Sequence, residues 1–157
     1  MFRRVLVANR GEIAVRVIRA IHELGAEAVA VYSDADRCAR HVRMADYAVR
    51  LGPPPAVASY LDAPSILAAA ISPGAAAIHP GYGFLSERGA FARACADAGI
   101  TFVGPSPDTL DVTGDKVAAR ALALEAGARL VPGTPGPVDT EAAAITAATG
   151  IGYPLLI

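Results

Sequence analysis

Five short apolar runs, rich in valine, isoleucine and alanine, recur along the chain with longer segments of helical periodicity between them. They are RVLVAN (residues 4–9), EAVAVY (27–32), YAVRL (47–51), AAAIH (75–79) and TFVG (101–104). Apolar character at nearly every position suits strands buried on both faces, and strands alternating with helices predict a parallel sheet covered on both sides. Between the first two runs, GEIAVRVIRAIHELGA places Ile13, Val17, Ala20, Ile21 and Leu24 at i, i+4, i+7, i+8 and i+11, which predicts an amphipathic helix stopped by Gly25. DAPSILAAAISPG closes at Pro73 and Gly74, and SERGAFARACADAG closes at Gly99, so further helices are expected there. Ser86 is the expected cap of the second of these, with Glu87 and Arg88 in its first turn. The fold class expected to about residue 104 is α/β, a Rossmann-like doubly wound parallel sheet with right-handed crossovers.

After GPSPDTLDVTGDK the style changes. Residues 115–127 and 139–149 read as helices separated by the turn-rich VPGTPGPVD, and GYPLLI reads as the opening of a strand, since Pro154 can start one. An apolar strand at the last residue is unusual, because chain ends are commonly polar, so the sequence reads as a piece of something longer. Two regions are therefore expected, 1–112 and a truncated 113–157.

Composition narrows the class. At 157 residues the chain fits one domain, or one domain and part of a second. It is 54% hydrophobic, yet Arg, Glu, Asp, Gly or Pro interrupts every apolar run short of the roughly 20 residues that span a membrane, so no membrane partner is expected. MFRRVLVANRGE opens like a signal peptide, but charge returns at Arg10 and Glu12 and a first strand is the better reading. Cys38 and Cys95 are too few for a disulfide framework and lack metal-ligand spacing, which makes a reducing cytoplasm the expected location. A net charge of -1 gives no electrostatic reason to expect nucleic acid as a partner.

Ligands of open α/β sheets collect at the carboxyl ends of the strands, which directs attention to the loops after the first and fourth strands. In ANRGEIAVR, Arg10 and Glu12 flank Gly11 at a helix N-terminus that favours an anion, although Glu12 could equally be an ordinary first-turn acid. With one glycine, the loop is not a GxGxxG fingerprint, and no GxxxxGK[ST] phosphate loop occurs. In IHPGYGFLSERGAF, Gly81 and Gly83 allow a tight fold around Tyr82, which suits either a shaped pocket or a turn packed for stability. His79 at the strand end reads as a hydrogen-bonded core residue. In TGDKVAARALALEAGA, Asp115 reads as an N-cap, and Lys116 stands where the helix dipole disfavours a cation, as it would if a phosphate or carboxylate held it.

Together VLVANRGEIAVRVIRAIHELG, VYSDADRCARHVRMAD, SYLD, AIHPGYGFLSE, FVGPS, GDK and the PG…GYP ending resemble, in order, the N-terminal part of biotin carboxylase. The resemblance implies a Rossmann-like domain leading an ATP-grasp module, in an ATP-dependent ligase that phosphorylates bicarbonate and carboxylates biotin. It implies that Lys116 contacts ATP, that Tyr82 and Gly83 face biotin in a pocket with Gly81, Arg10, Glu12 and Glu87, and that Arg19 and Glu23 lie on a dimer surface. It further implies Mg2+ or Mn2+ held by ligands beyond residue 157, a homodimer, and a biotin carboxyl carrier and carboxyltransferase as partners. Lacking the second ATP lysine, the glycine-rich lid and the metal ligands, this stretch is expected to be inactive alone. Another ATP-grasp ligase, such as a carbamoyl-phosphate or purine-pathway enzyme, and a non-catalytic dimerisation module are the alternatives.

Overall fold

The computed structural model describes residues 2–134 and 136–155. The chain divides into two compact units, Met1–Asp111 and Val112–Ile157. The first carries five strands, β1 (Arg4–Val7), β2 (Glu27–Ser33), β3 (Tyr47–Gly52), β4 (Ala77–His79) and β5 (Thr101–Phe102), all paired in parallel in the order β3-β2-β1-β4-β5. The chain winds outward from β1 to β3, then crosses back to lay β4 on the other side of β1. The point where the winding reverses lies between β1 and β4, where sheets of this kind open a crevice at their carboxyl ends.

Strand geometry sends successive side chains to opposite faces, and the two faces have separate cores. Leu6, Val29, Val31 and Ile78 pack with Tyr60, Ile66, Phe91 and Cys95, which brings in α3 (Ala63–Ile71) and α4 (Gly89–Asp97). Val5, Val7, Ala28, Ala30 and Ala77 meet Ala14, Val17, Ile18 and Ile21 of α1 (Gly11–Glu23). The alternation of Val5, Leu6 and Val7 between the cores is why β1 is apolar at every position after Arg4. Full burial of Leu6 or Ile18 contributes roughly 1.5–3 kcal/mol each.

The face of α1 differs from the periodicity reading. Its buried residues are Ala14, Val17, Ile18 and Ile21, while Ala20 and Leu24 are exposed. Both α- and β-like spacings of apolar residues occur in IAVRVIRAI, and contact with the small alanines of β2 and β4 selects the stripe centred on Ile18. Ser86 is not a cap: α4 begins at Gly89 behind Arg88, and Ser86, Glu87 and Arg88 belong to the preceding turn, with Ser86 N–H donating to Gly83 O at 2.9 Å. RVLVAN is strand only to Val7, and TFVG only to Phe102. A short helix, α2 (Arg40–Met44), and a further one, α5 (Pro107–Gly114), occupy segments the sequence left without elements.

The second unit holds α6 (Lys116–Glu125) and α7 (Glu141–Ile151). Asp115 caps α6, its carboxylate accepting from Val117 N–H at 2.8 Å and Ala118 N–H at 3.0 Å. Thr140 does the same for α7 through Ala143 N–H at 3.2 Å. Of the expected strand GYPLLI, residues 152–155 carry no strand, and Leu156 and Ile157 lie outside the described residues. No described helix is long and apolar enough to cross a membrane.

Candidate functional site at the sheet ends

The loops after β1 and β4 stand side by side because the two strands are neighbours, with Val7 opposite His79 and Ala8 N–H donating to His79 O at 2.9 Å. From β1 the chain passes Asn9 and Arg10 and turns into α1 at Gly11, where φ is +63°. From β4 it passes Pro80 and bends through Gly81 (φ +66°), Tyr82, Gly83 (φ +67°) and Phe84 (φ +47°). A bulky residue at Phe84's φ is rare and strained, and such outliers cluster where a ligand site has to be shaped.

Phe84 is held by its ring, which stacks on Tyr60 with centroids 5.1 Å apart. Tyr60 is buried; its hydroxyl accepts from Ser33 N–H at 3.0 Å and donates to the Asp36 carboxylate at 2.7 Å. Burial, and then the bond to Asp36, push the phenol up to about 12, so it stays a donor at any ordinary pH. Asp36 also lies 3.6 Å from the Arg10 guanidinium, which spreads over the Tyr60 and Phe84 rings at 5.7 and 6.0 Å. Arg10 is thus aimed by one carboxylate and two ring faces while half its side chain remains in water.

On the outer side, the Tyr82 hydroxyl donates to Glu12, and this bond raises the phenol above its ordinary value. The Tyr82 ring is 61% exposed, so it is a wall of the crevice and contributes little to the core. His79 is half-buried; its Nδ1 accepts from Gly81 N–H at 3.0 Å and burial lowers its pKa, which keeps the ring neutral. The structure therefore brings together Arg10, Glu12, Gly81, Tyr82 and Gly83 in one crevice. Glu87 is exposed in the segment before α4. Arg19 and Glu23 line, with Glu12, Arg16, Arg40 and buried His41, a cavity of about 710 Å³ beside α1.

Three residues of this site escaped the sequence reading: Asn9, Asp36 and Tyr60. Their roles depend on hydrogen bonds to partners up to 73 residues away, and the available local signal was an asparagine two residues past a buried strand. In the second unit, Lys116 is exposed at the start of α6 and borders a cavity of about 1010 Å³ with Arg120, Val131, Ile145 and Tyr153. Arg120 crosses beneath the turn there, donating to Val131 O at 3.0 Å. Among the described residues no group of three or more His, Cys, Asp or Glu could hold a metal ion.

A parallel α/β domain with its crevice at the β1–β4 junction, followed by a separate helical unit, is the class these features define. Residues 1–110 match the biotin carboxylase N-terminal domain, and residues 115–157 match the ATP-binding domain of the carbamoyl-phosphate synthase L chain. The chain belongs to the biotin carboxylase family. It is 49% identical over 156 residues to a biotin carboxylase of Nostoc sp., covering 99% of this chain and 35% of the relative. Against the methylcrotonoyl-CoA carboxylase subunit alpha of Oryza sativa subsp. japonica, identity is 56% over 154 residues, 98% of this chain and 21% of the relative. Among solved structures, the biotin carboxylase domain dimer of Hydrogenobacter thermophilus 2-oxoglutarate carboxylase, in complex with MgADP, ADP and bicarbonate, superposes with a TM-score of 0.90 at 49% identity, covering 98% of this chain and 34% of that one. The chain thus spans about a third of the length of the biotin carboxylases it matches. These relatives do not favour another ATP-grasp ligase as the parent.

Proposed function

We propose that this chain is the N-terminal part of a cytoplasmic biotin carboxylase that uses ATP and bicarbonate to carboxylate biotin on a carrier protein or domain, within an acyl-CoA or keto-acid carboxylase. The observation that carries the reading is the junction of the two sheet-end loops through Tyr82 and Glu12, at the switch point where α/β sheets take ligands. Tyr82 offers biotin an apolar ring face with a polar tip, and Gly83 gives it close access to the backbone. Lys116 contacts ATP, which accounts for a cation at a helix start where only a ligand anion would favour it. Bound Mg2+ or Mn2+ would offset phosphate charge; its ligands, like the rest of the ATP site, belong to parts of the enzyme other than the described residues. Arg19 and Glu23 form a surface for a second copy, and a carboxyltransferase receives the carboxyl group from the carrier. Residues 1–157 alone do not turn over.

Two substitutions in the full-length enzyme test this reading. Lys116→Gln removes a charge-assisted contact worth about 1.5–3 kcal/mol, so kcat/KM for ATP falls roughly tenfold to a hundredfold with little change in Tm. Tyr82→Ala weakens carboxylation of free biotin more than bicarbonate-dependent ATP hydrolysis. Unchanged ATP kinetics in the first variant, or parallel loss of both activities with Tm in the second, rejects the corresponding role.

A further inference from the structure

Asn9 is 3% exposed at the end of β1, a polar side chain enclosed between the two crevice loops. Its Nδ2 donates to Pro80 O and to Tyr82 O, each at 2.8 Å, and its Oδ1 accepts from Arg10 N–H at 2.9 Å. The amide's orientation follows from its partners: turned over, the oxygen would face two carbonyls and the NH2 group would face an N–H. One side chain therefore ties three backbone groups from two loops. Gly81 arches over it so closely that a Cβ there would lie 2.7 Å from Nδ2.

We infer that Asn9 is a positioning residue for biotin carboxylation: it sets where the Tyr82 ring and the Gly83 backbone stand relative to Glu12, and so where biotin is held. The inference rests on the proposed function of the crevice. No shorter side chain reaches both carbonyls, and aspartate would bring a carboxylate against them. The two bonds are directed at the residues on either side of Gly81, the point about which the loop would otherwise pivot. Displacements of about 1 Å in a reacting pair can lower rates by two orders of magnitude, so a clamp without substrate contact still controls the reaction.

The test uses the full-length enzyme with Asn9→Ala, Asn9→Asp and, in parallel, Tyr82→Ala. Steady-state carboxylation of free biotin, bicarbonate-dependent ATP hydrolysis without biotin, and Tm are measured for each. In Asn9→Ala, loss of two neutral hydrogen bonds lowers kcat/KM for biotin roughly tenfold to a hundredfold, while ATP hydrolysis stays within about threefold. Asn9→Asp regains biotin carboxylation relative to wild type as pH falls, because the protonated carboxyl recovers one donor. That recovery carries the test if Asn9→Ala fails to fold. Unchanged biotin kinetics, equal loss of both activities in step with Tm, or an Asn9→Asp pH profile parallel to wild type overturns the inference. If Tyr82→Ala weakens biotin carboxylation and the Asn9 variants do not, the clamp alone is wrong. If Tyr82→Ala has no effect, the reading of the crevice fails and the clamp's functional role falls with it.

Discussion

Gly81→Ala and Gly83→Ala form a matched pair, because the two glycines share a backbone conformation and differ in what surrounds them. Their φ angles are +66° and +67°. A Cβ at Gly83 meets nothing within 4 Å, whereas at Gly81 it lies 2.7, 3.1 and 3.2 Å from Nδ2, Cγ and Cβ of Asn9. Those atoms cannot retreat, since Asn9 is enclosed and bonded to three backbone groups. Gly83→Ala therefore bears only the left-handed penalty of an L-residue, roughly 1–2 kcal/mol. Gly81→Ala bears the same penalty and an overpacking term of about 1–3 kcal/mol. The difference between the variants isolates the contact with Asn9. At roughly 4–8 °C per kcal/mol for a domain of about 100 residues, Gly81→Ala should melt at least about 4 °C below Gly83→Ala. Calorimetry and urea titration of the same preparations measure the gap. Equal stabilities would mean that Asn9 yields to the methyl group, and the reasoning that makes it a rigid wall would be refuted.

Tyr60→Phe keeps the ring stack with Phe84 but leaves Ser33 N–H buried without its acceptor at 3.0 Å, so stability in urea should drop by about 1–3 kcal/mol; an unchanged midpoint would assign the residue's contribution to its ring alone. Acid should weaken the first unit through its buried histidines. His41 and His79 both have pKa values lowered from 6.5 by burial, so the unfolded chain takes up protons first; stability is full above about pH 6.5 and declines as pH falls below it toward the lowered values. A urea midpoint that stays level from pH 7.5 to 5.5 would contradict this.

The alternation of apolar runs and helical periods made the sheet legible, because burial on both faces leaves a nearly unbroken apolar signature. It did not reveal which stripe of α1 turns inward: Leu24 satisfied the spacing, but the helix ends at Glu23, where nothing covers that position. α2 is only five residues long, and its placement depends on contact with α1, so periodicity had too short a window. At the site, glycines and Tyr82 announced themselves through turn chemistry. Glu12 was ambiguous as a first-turn acid until Tyr82 was found donating to it across the crevice. Asn9 reaches Pro80 and Tyr82, and Tyr60 reaches Ser33 and Asp36, across 24 to 73 residues, and single-chain spacing contains no trace of such pairings.

The strand order has a consequence for synthesis. β1 and β2 can pair as soon as both have emerged, but the other edge of β1 waits for β4, with Val7 and His79 in register at the far end of a long excursion. At translation rates of roughly 5–20 residues per second, the interval between those two residues leaving the ribosome's catalytic centre is about 4 to 14 s. Through that interval Val5, Leu6 and Val7 present an apolar edge that any extended segment can join. The central strand of the finished sheet is therefore an edge strand during the molecule's making, and a cluster of slow codons between β2 and β4 would lengthen the period in which a nascent chain pairs with the wrong neighbour.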